Sequence, residues 1–519
     1  MIFLLGLGCT EERLIDIILH NGHIRVDEQT VVTSMAIDDG HIIALGDDTI
    51  SYTPKKEEDL NGAILLPGFH DAHTHLLAGS FVMERLLLVG VSSMGNLSQK
   101  VQNYAQENPQ EPWIIGFGWV YSQFEDPSGV ALDDIVSDRP IALFDSSGHN
   151  LLVNSIAMEY AGITAQSIAP VGGEIVHDAQ GNPTGLLKES AIELISPLML
   201  EAYNDEAFVA PLQKELENFS ELGISGISEI LAVPGVSLAK PQLYSELYDR
   251  GELPLRVHYY LPVFALNELS SIIEHSLEYE RSRVRFAGIK VWVDGSTSSG
   301  SSWSIEPAQN DSENFGSHYW SEEDLGTLVA SAEEHQFSIK FHANGDAAIQ
   351  AVLNAIESYA GIRAQSYIIE HAVLFDPEDY ARAHDLGVCI GVQSGIASLG
   401  RFSDQSDIWG EERMQEAWRF DKLEESNIQT LLGTDWPVWP TVDPLVNAWT
   451  ATQGLGDRGF SKENTLKSYT SNIGTCLNIQ EGCLDIGCRA DYSIFSQDPY
   501  DTPAEEWTNL TIIQTVLHD

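Results

Sequence analysis

Short apolar runs alternate with longer amphipathic stretches through the middle of this 519-residue chain. An alternation of buried strands and amphipathic helices is typical of a parallel sheet covered by helices. A (β/α)8 barrel needs eight such strands in about 250 residues. The candidate strands are residues 64–69, 223–230, 256–264, 285–293, 338–343, 367–372, 388–394 and 430–435. We therefore predict an α/β fold, a (β/α)8 TIM barrel.

Both ends of the chain have a different pattern, with short strands and tight turns. Residues 14–66 alternate apolar and polar positions between Asn-Gly and Asp-Gly turns, and the last part of the chain has the same character. We predict that residues 14–66 and 475–519 form a β-sandwich domain, and that the barrel occupies residues 67–474. The first two barrel strands are several βα units apart, which predicts a large insertion over about residues 85–205 that shapes the substrate pocket.

The charge balance limits the partners of this chain. It has 27 basic and 77 acidic residues, for a formal net charge of −50. Nucleic acids and anionic membranes bind through basic patches, so such partners are disfavoured. We expect a small-molecule substrate, no nucleic acid and no nucleotide cofactor. A homodimer is the default expectation because it is the commonest assembly.

The first residues, 1–13, read like the end of a bacterial lipoprotein signal. An apolar stretch precedes Cys9, which would carry the lipid anchor, but a basic segment before that stretch is lacking. Two interpretations stay open. Either the true start lies upstream and the protein is a periplasmic or membrane-anchored lipoprotein, or the resemblance is chance and the protein is cytoplasmic.

Five cysteines are present, and none belongs to a Cys-x-x-Cys pair. The odd number and the spacing predict neither a disulfide framework nor a zinc–cysteine site. A bond between Cys483 and Cys488 is the one pairing that the sequence suggests, and we expect it to be absent.

Four of the apolar runs end in a side chain that can bind a metal ion. The segments are PGFHDAHTHLL (67–77), SIKFHANGD (338–346), YIIEHAVL (367–374) and LLGTDWP (431–437). A buried strand seldom ends in such a group, because burying it costs free energy unless it is paired. The spacing supports this interpretation, since the second and third segments are about one βα unit apart and the last follows after two more. The predicted ligands are His73, His75, His342, His371 and Asp435.

Each ligand also has an ordinary explanation when it is taken alone. His73 and His75 lie two residues apart, so both would project from the same side of a strand and could chelate one ion. Without a metal they would be two loop histidines. Asp435 could simply cap a helix, whereas beside a zinc ion it could bind the metal and accept a proton from water. The joint spacing favours the metal site.

Lys290 is a lysine inside an apolar strand, in the run GIKVWVDG. A buried lysine must lose its charge or find a partner. It could extend from the strand edge into solvent, or it could react with CO2 to give a carbamate that bridges two metal ions. Because its strand end would face the proposed ligands, we predict the bridging role.

Taken together, these segments resemble the amidohydrolase superfamily, and most closely its YtcJ-like and N-substituted formamide deformylase-like members. The resemblance also covers WIIGFGW (113–119), SSGHNLLVNS (146–155), GGEIVHDAQGNPTG (172–185) and GCLDIGCRADYSIF (482–495). It implies a (β/α)8 barrel with a β-sandwich and one or two divalent metals, usually zinc.

The resemblance also implies a role for each residue. His73, His75 and Asp435 would hold one metal, His342 and His371 the other, and Lys290 would bridge them as a carbamate. Asp435 would be the catalytic acid and base. We further predict that the substrate contacts His149, Trp119 and Trp436.

The chain departs from the family pattern at three places. Ser147 stands where the family often has Asp, Ser228-Glu229 replaces His-Asp after the second strand, and QSGIAS (393–398) replaces Gln-Pro-x-His after the seventh. None of these positions is a predicted metal ligand. We therefore expect the departures to change which substrate binds, and to leave the reaction itself unchanged.

The predicted reaction is metal-assisted hydrolysis of a non-peptide C–N bond, in an amide or an N-substituted formamide. Two alternatives stay open. One is a mononuclear deaminase of the same superfamily, for which a single metal and an unmodified Lys290 would be expected. The other is a non-catalytic surface binding protein on the same scaffold, for which failure to bind any metal would be expected.

Overall fold

The computed structural model describes residues 14–124, 127–233, 235–359, 367–402 and 405–519. Cys9 and the predicted lipoprotein segment lie outside these residues. Within the described part of the chain, none of the helices is both long enough and apolar enough to cross a membrane.

The first seven strands precede the barrel. Alternate side chains of the first strand are buried, as expected of a strand with one face on a core. The elements are β1 (Leu14–His20), β2 (His23–Arg25), β3 (Val31–Val32), β4 (Met35–Asp38), β5 (His41–Leu45), β6 (Thr53–Asp59) and β7 (Ile64–Pro67).

The first barrel strand, β8, is followed by a long excursion that returns to the barrel only at residue 224. The elements are β8 (Phe69–Thr74), α1 (Leu76–Met83), β9 (Leu86–Leu87), α2 (Met94–Glu107), β10 (Ile114–Trp119), β11 (Ile141–Asp145), β12 (Asn150–Val153), α3 (Ser155–Tyr160), β13 (Glu174–His177), β14 (Pro183–Lys188) and α4 (Ser196–Glu201). The six strands after β8 form a separate sheet in the order β13-β14-β12-β11-β10-β9, within the region predicted as an insertion.

Strands and helices then alternate up to residue 432. They are α5 (Glu206–Glu221), β15 (Ile224–Ile230), β16 (Ala232–Val233), β17 (Val236–Ser237), α6 (Gln242–Asp249), β18 (Arg256–Pro262), α7 (Leu269–His275), β19 (Val284–Trp292), α8 (Glu322–His335), β20 (Ser338–Ala343), α9 (Asp346–Tyr359), β21 (Tyr367–His371), α10 (Asp379–Leu386), β22 (Cys389–Val392), α11 (Ser394–Phe402), α12 (Ser406–Trp409), α13 (Glu411–Gln415), α14 (Phe420–Glu425) and β23 (Thr430–Leu432).

The chain ends with three helices and two strands. They are α15 (Pro444–Trp449), α16 (Lys462–Tyr469), α17 (Ser471–Leu477), β24 (Tyr492–Phe495) and β25 (Ile512–Val516). Strand β24 pairs with β7 and with β25, so strands from both chain ends share a five-stranded sheet. This sheet and the four-stranded sheet β5-β4-β1-β6 contribute to one hydrophobic cluster. The proposed division into domains stays a prediction.

Eight parallel strands form the barrel in the order β8, β15, β18, β19, β20, β21, β22, β23. The first and last strands are joined beyond β23, where the Asp435 amide donates to the His73 carbonyl at 2.7 Å and the His75 amide donates to the Trp436 carbonyl at 2.9 Å. Gly433 allows this close approach, since a Cβ atom there would lie 2.6 Å from the His73 nitrogen. The predicted (β/α)8 barrel is confirmed.

One strand assignment was wrong. The apolar run predicted as the first barrel strand, residues 64–69, is split at Gly68. Its first part is β7 of the small sheet, and the barrel strand is Phe69–Thr74. A continuous apolar run shows that both of its faces are buried, but it does not show which sheet each part joins.

Helix packing follows the apolar periodicity. In α5 the buried residues Phe208, Leu212, Leu216 and Phe219 recur every three or four positions, which places them on one face. Helix α8 begins with a capping box in which Ser321 and Asp324 bond to each other's backbone amides. The barrel strands and their helices share the largest hydrophobic cluster.

The prediction against disulfides was wrong. Cys389 at the start of β22 is bonded to Cys476 in α17, and Cys483 is bonded to Cys488. The first pair is separated by 87 residues in sequence, yet its Cα atoms lie 6.1 Å apart, because α17 packs against the barrel. Such a pairing depends on tertiary contacts that spacing alone does not reveal.

Candidate metal centre

All six predicted metal ligands line one cavity. They are His73, His75, Lys290, His342, His371 and Asp435. Each lies near the end of a barrel strand or directly after it, at the carboxyl-terminal face. Barrel enzymes place their active sites on this face, because the loops that follow the strands converge there.

Asp435 lies among three of the histidines. Its Oδ1 is 3.0 Å from Nε2 of His75 and 3.5 Å from Nε2 of His73, and its Oδ2 is 3.9 Å from Nδ1 of His371. Burial opposes ionisation of this carboxyl group, but the neighbouring imidazoles outweigh burial and lower its pKa. Asp435 is therefore an anion at neutral pH.

Two of these residues adopt an unusual backbone conformation. His371 has φ of 72° and Asp435 has φ of 57°, in the left-handed region that non-glycine residues seldom adopt. Such a conformation costs about 1–3 kcal/mol and is concentrated at functional sites. Here it turns both side chains into the cavity directly after their strands end.

The imidazoles of His73, His342 and His371 are neutral, as metal binding requires. Burial lowers the pKa of His73 to about 4 and that of His371 to about 3. Burial also lowers the pKa of His342 well below its usual value. Nε2 of His342 accepts a hydrogen bond from the Asn344 side-chain amide at 2.8 Å, so this histidine has to exchange that bond to ligate a metal through Nε2.

Lys290 is buried, with its ammonium group in the cavity wall. Among the described residues, Nζ has no hydrogen-bond partner. Burial lowers the pKa of this lysine to about 8. A fraction of the amine is therefore uncharged at neutral pH, and the uncharged form is the nucleophile that adds to CO2.

Glu370 is a member of the site that sequence reasoning missed. It precedes His371, is fully buried, and its Oε2 lies 2.7 Å from Nδ1 of His73. Oε1 accepts a hydrogen bond from Lys340, and Oε2 accepts one from Gln393, whose own Oε1 lies 2.8 Å from Nδ1 of His371. A carboxylate on the second ring nitrogen orients a metal-binding histidine. The sequence did contain a signal for it, because an acidic residue inside the apolar run YIIEH indicates a buried carboxylate that needs a partner.

Two further carboxyl groups hold the backbone around His73 and His75. Asp71 accepts hydrogen bonds from the amide and hydroxyl of Thr434 at 3.0 and 2.6 Å, which ties β8 to the segment that carries Asp435. Glu229 accepts the amides of Leu76 and Leu77 at the start of α1. Both groups therefore position the ligands.

His149 lies on the cavity wall, and its contact with a substrate stays a prediction. Its Nδ1 is 2.6 Å from Oε2 of Glu189, a residue that also has a left-handed backbone, with φ of 51°. Burial alone would lower the pKa of His149, but Glu189 outweighs burial and raises it. The contact with Glu189 leaves Nε2 of His149 as the atom that can donate to a substrate.

The predicted substrate contact of Trp119 was wrong. Its indole is fully buried in the core of the inserted sheet, and Nε1 donates to the Leu143 carbonyl at 2.9 Å. The reason is a bulge at Gly118, where φ is +104° and the β10–β11 register shifts. The bulge interrupts strand alternation, so Phe117 lines the cavity and Trp119 faces the other way.

The predicted contact of Trp436 was also wrong. Its ring packs behind the site, close to Gly79 and 6.1 Å from the ring of Phe219, measured between centroids. The next two residues, Pro437 and Val438, line the cavity in its place. A tryptophan beside a ligand residue therefore supports the wall without contacting the cavity.

The rest of the cavity wall is mostly apolar. Apart from the six predicted ligands, the polar side chains on it are those of Ser147 and His149. The apolar wall includes Phe81, Val82, Phe117, Phe144, Met199, Leu200, Val233, Val236, Leu238 and Trp292.

The donor set fits a divalent metal. Nε2 of His73 is buried and has no hydrogen-bond partner among the described residues, and His73, His371 and Asp435 offer ligand atoms within 4.8 Å of one another. Neutral imidazoles with a carboxylate are a normal zinc-binding set. An orphaned buried nitrogen would otherwise cost free energy, so a bound ion would satisfy it.

Comparisons with known proteins agree with this chemistry. A model of the amidohydrolase family matches residues 56–519. The protein named as amidohydrolase YtcJ of Bacillus subtilis (strain 168) is 30% identical over 537 aligned positions, which cover 96% of this chain and 98% of that protein. The N-substituted formamide deformylase of Arthrobacter pascens is 24% identical, covering 97% of each chain.

Solved structures give the same picture. An uncharacterised metal-dependent hydrolase from Pyrococcus furiosus superimposes with a TM-score of 0.71 at 25% identity, covering 93% of this chain and all of that one. The family model spans the whole barrel and nearly all of the chain. The chain therefore belongs to the amidohydrolase family.

Proposed function

We propose that this protein hydrolyses a non-peptide C–N bond, in an amide or an N-substituted formamide. The observation that carries the proposal is the convergence of three imidazoles on one anionic carboxylate, in a cavity with apolar walls. The imidazoles are those of His73, His75 and His371, the carboxylate is Asp435, and Lys290 lines the same cavity.

The metal ligands would be His73, His75 and Asp435 for one ion, and His342 and His371 for the other. Lys290 would bridge the two as a carbamate, and zinc is the metal we expect. When bound, the ions would lower the pKa of a water molecule and polarise the carbonyl group of the substrate. Nζ of Lys290 has no hydrogen-bond partner in the described part of the chain, which supports the bridging role, because a carbamate would give it partners.

Asp435 would move the proton. Its carboxylate is ionised and faces the imidazoles, so it can accept a proton as the oxygen of water bonds to the substrate carbonyl carbon. When the C–N bond breaks, the same carboxyl group would return the proton to the leaving nitrogen. His149, held through Nδ1 by Glu189, would donate from Nε2 to the substrate.

The residues that line the cavity favour an uncharged substrate with an apolar substituent. Arginine is absent from the lining residues, all of which are described, and the one lysine there is Lys290. A substrate carboxylate would find no cation besides Lys290 and His149. The similarity to an N-substituted formamide deformylase is consistent with this class.

A hydrolysis screen tests the proposal. Zinc-loaded protein is offered N-substituted formamides, N-acyl amines and cyclic amides, with product acid and amine measured together. We expect turnover of at least one uncharged class, and D435N as the matched control should be inactive. Ammonia release from an aromatic ring amine instead would indicate a deaminase.

A further inference from the structure

An arginine-rich cavity lies at the opposite end of the barrel from the candidate metal centre. It has a volume of about 630 Å³ and opens beside the first residues of β18 and β19. Five arginines line it: Arg256, Arg281, Arg283, Arg285 and Arg489. The chain has only 27 basic residues against 77 acidic ones, so this cavity concentrates positive charge on a strongly acidic molecule. Its lining residues, all of which the structure describes, are different from those that line the cavity of the metal centre.

Three of these arginines are already paired inside the protein. Each binds one carboxylate through two of its nitrogens, at distances from 2.5 to 3.0 Å. The pairs are Arg256 with Asp491, Arg281 with Asp249 and Arg283 with Asp519. These carboxylates offset the charge of the three guanidinium groups, so a ligand would have to bind through the other two arginines.

Arg285 and Arg489 have no such partner. Neither guanidinium group makes a hydrogen bond or an ion pair with any residue that the structure describes. Arg285 is exposed and Arg489 is half-buried, so a ligand in the cavity can reach both. A guanidinium group has five N–H donors in a planar fork, which matches the paired oxygens of a phosphate or a carboxylate. The two arginines therefore offer unused donors for an oxyanion.

The fold places both of these arginines on the cavity wall. Arg285 stands opposite His258 in the register of β18 and β19, so the two side chains project from the same face of the sheet. Arg489 directly follows the Cys483–Cys488 bond, and its amide donates to the Gln480 carbonyl at 2.7 Å. The disulfide and this hydrogen bond hold the backbone that carries Arg489. The position of both arginines is therefore built into the fold.

The other ionisable groups on the wall are compatible with an anion. Of the two carboxylates there, Glu280 is exposed, and Oε2 of Glu481 lies 2.9 Å from Nε2 of His258. Nδ1 of His258 is buried, and no described residue offers it a hydrogen bond. Because Nε2 faces the carboxylate of Glu481, Nδ1 can accept a proton donor, such as the O–H group of hydrogen phosphate. A ligand of this kind would satisfy the nitrogen.

We propose that this arginine-rich cavity binds a small molecule with a multiply charged oxyanion, a phosphate or a polycarboxylate, through Arg285 and Arg489. A nucleic acid needs a continuous basic surface, and here the carboxylates paired with the other three arginines interrupt that surface. The concave wall and the two unpaired guanidinium groups fit a compact anion instead.

The bound anion would connect two parts of the chain that are distant in sequence. Arg285 belongs to β19 of the barrel, whereas Arg489 belongs to the segment between α17 and β24. A ligand that binds only the folded chain stabilises it by an amount that grows with ligand concentration. The melting temperature should therefore rise as the anion is added. This site is independent of the hydrolytic centre, so either proposal can fail without the other.

Isothermal titration calorimetry of the full-length protein tests the proposal. Inorganic phosphate and the tricarboxylate tricarballylate are titrated separately into wild type, R285Q and R489Q. At least one probe should bind wild type saturably, and each variant should bind it about 10-fold more weakly or less, because a charge-assisted hydrogen bond is lost. The matched control is R382Q, which removes the same charge at a residue outside the cavity and should bind like wild type.

The tighter of the two probes distinguishes a phosphate ligand from a polycarboxylate. Circular dichroism establishes that each variant is folded, and R285Q keeps the test decisive if R489Q does not fold, because Arg285 is exposed. Failure of both probes to bind wild type at millimolar concentrations overturns the proposal. Equal affinity in wild type and R285Q also overturns it, since a probe held at the hydrolytic centre would give that result. An equal loss in R382Q would show a general effect of charge and would overturn it too.

Discussion

Lys290 and Lys340 lie directly opposite each other on the paired strands β19 and β20, and both are buried inside the barrel. Their surroundings differ completely. Nζ of Lys340 donates to Glu370 at 2.6 Å and to the Ala72 carbonyl at 2.8 Å, whereas Nζ of Lys290 has no hydrogen-bond partner among the described residues. One lysine is therefore part of the structural framework, and the other is available for chemistry.

This difference predicts opposite effects of the same substitution. Lys340→Met should leave the Glu370 carboxylate buried without its cation and destabilise the fold by about 3–5 kcal/mol. Lys290→Met should leave the metal-free protein at least as stable as wild type, because it removes a buried amine that makes no hydrogen bond with any described residue. Thermal unfolding in a chelator measures both.

Metal content completes that comparison. We expect K290M to bind fewer ions than wild type, and intact wild-type protein to carry the added mass of one CO2 on Lys290. An unmodified lysine together with an unchanged metal count in K290M would rule out the bridging role.

Asp435→Asn should abolish most of the turnover while the histidines still hold metal. General acid and base catalysis contributes about 10²–10⁴-fold to the rate, so kcat should fall by that factor. Steady-state kinetics and zinc analysis of the same preparation check this expectation. Equal kcat values for wild type and D435N would show that another group moves the proton.

The bulge at Gly118 predicts different roles for the aromatic residues on either side of it. Phe117→Ala removes part of the cavity wall, so KM for an apolar substrate should rise by about 10-fold, the effect of losing an apolar contact of ~1–3 kcal/mol. Trp119→Phe should leave KM unchanged and lower the melting temperature, because it loses the bond to the Leu143 carbonyl. The reverse pattern would contradict the structure.

Much of this architecture could be predicted from the sequence, because it depends on local signals. The apolar runs predict the barrel strands, and the spacing of His342, His371 and Asp435 matches the βα repeat. Those residues lie near the ends of their strands or shortly after them, and they meet because parallel strands carry their carboxyl ends to one face.

The failures have a common physical cause, because each depended on tertiary contacts. A one-residue bulge reversed the direction of Trp119, and the Cys389–Cys476 bond joins segments that only the folded barrel brings together. The acidic residue inside the apolar run YIIEH indicates that Glu370 is buried with a partner, but it does not show that the partner is His73.

Glu229 predicts a pH dependence of stability. Burial raises its pKa from 4.5 to about 8, so the folded protein keeps a proton that the unfolded chain releases near pH 4.5. The contribution of Glu229 to the free energy of unfolding is therefore fully present below pH 4.5 and is lost as the pH rises through about 8. A tenfold difference in proton affinity between the folded and unfolded chains corresponds to about 1.4 kcal/mol, so the loss amounts to a few kcal/mol.

The variant E229Q isolates this contribution, because glutamine cannot ionise. Melting temperatures of metal-free wild type and E229Q are compared between pH 5 and pH 9. We expect the wild-type value to fall relative to that of E229Q as the pH rises. Parallel curves for the two proteins would mean that Glu229 is already ionised in the folded state.

The most direct test of the proposed function is hydrolysis by protein whose metal content is controlled. Metal-free protein is reloaded with increasing zinc, and the release of formate and amine from an N-substituted formamide with an apolar substituent is followed. We expect turnover to rise in step with occupancy of the centre around Asp435, and D435N to stay inactive at full occupancy. Absence of turnover at full zinc occupancy for formamides, N-acyl amines and cyclic amides alike would contradict the proposed function.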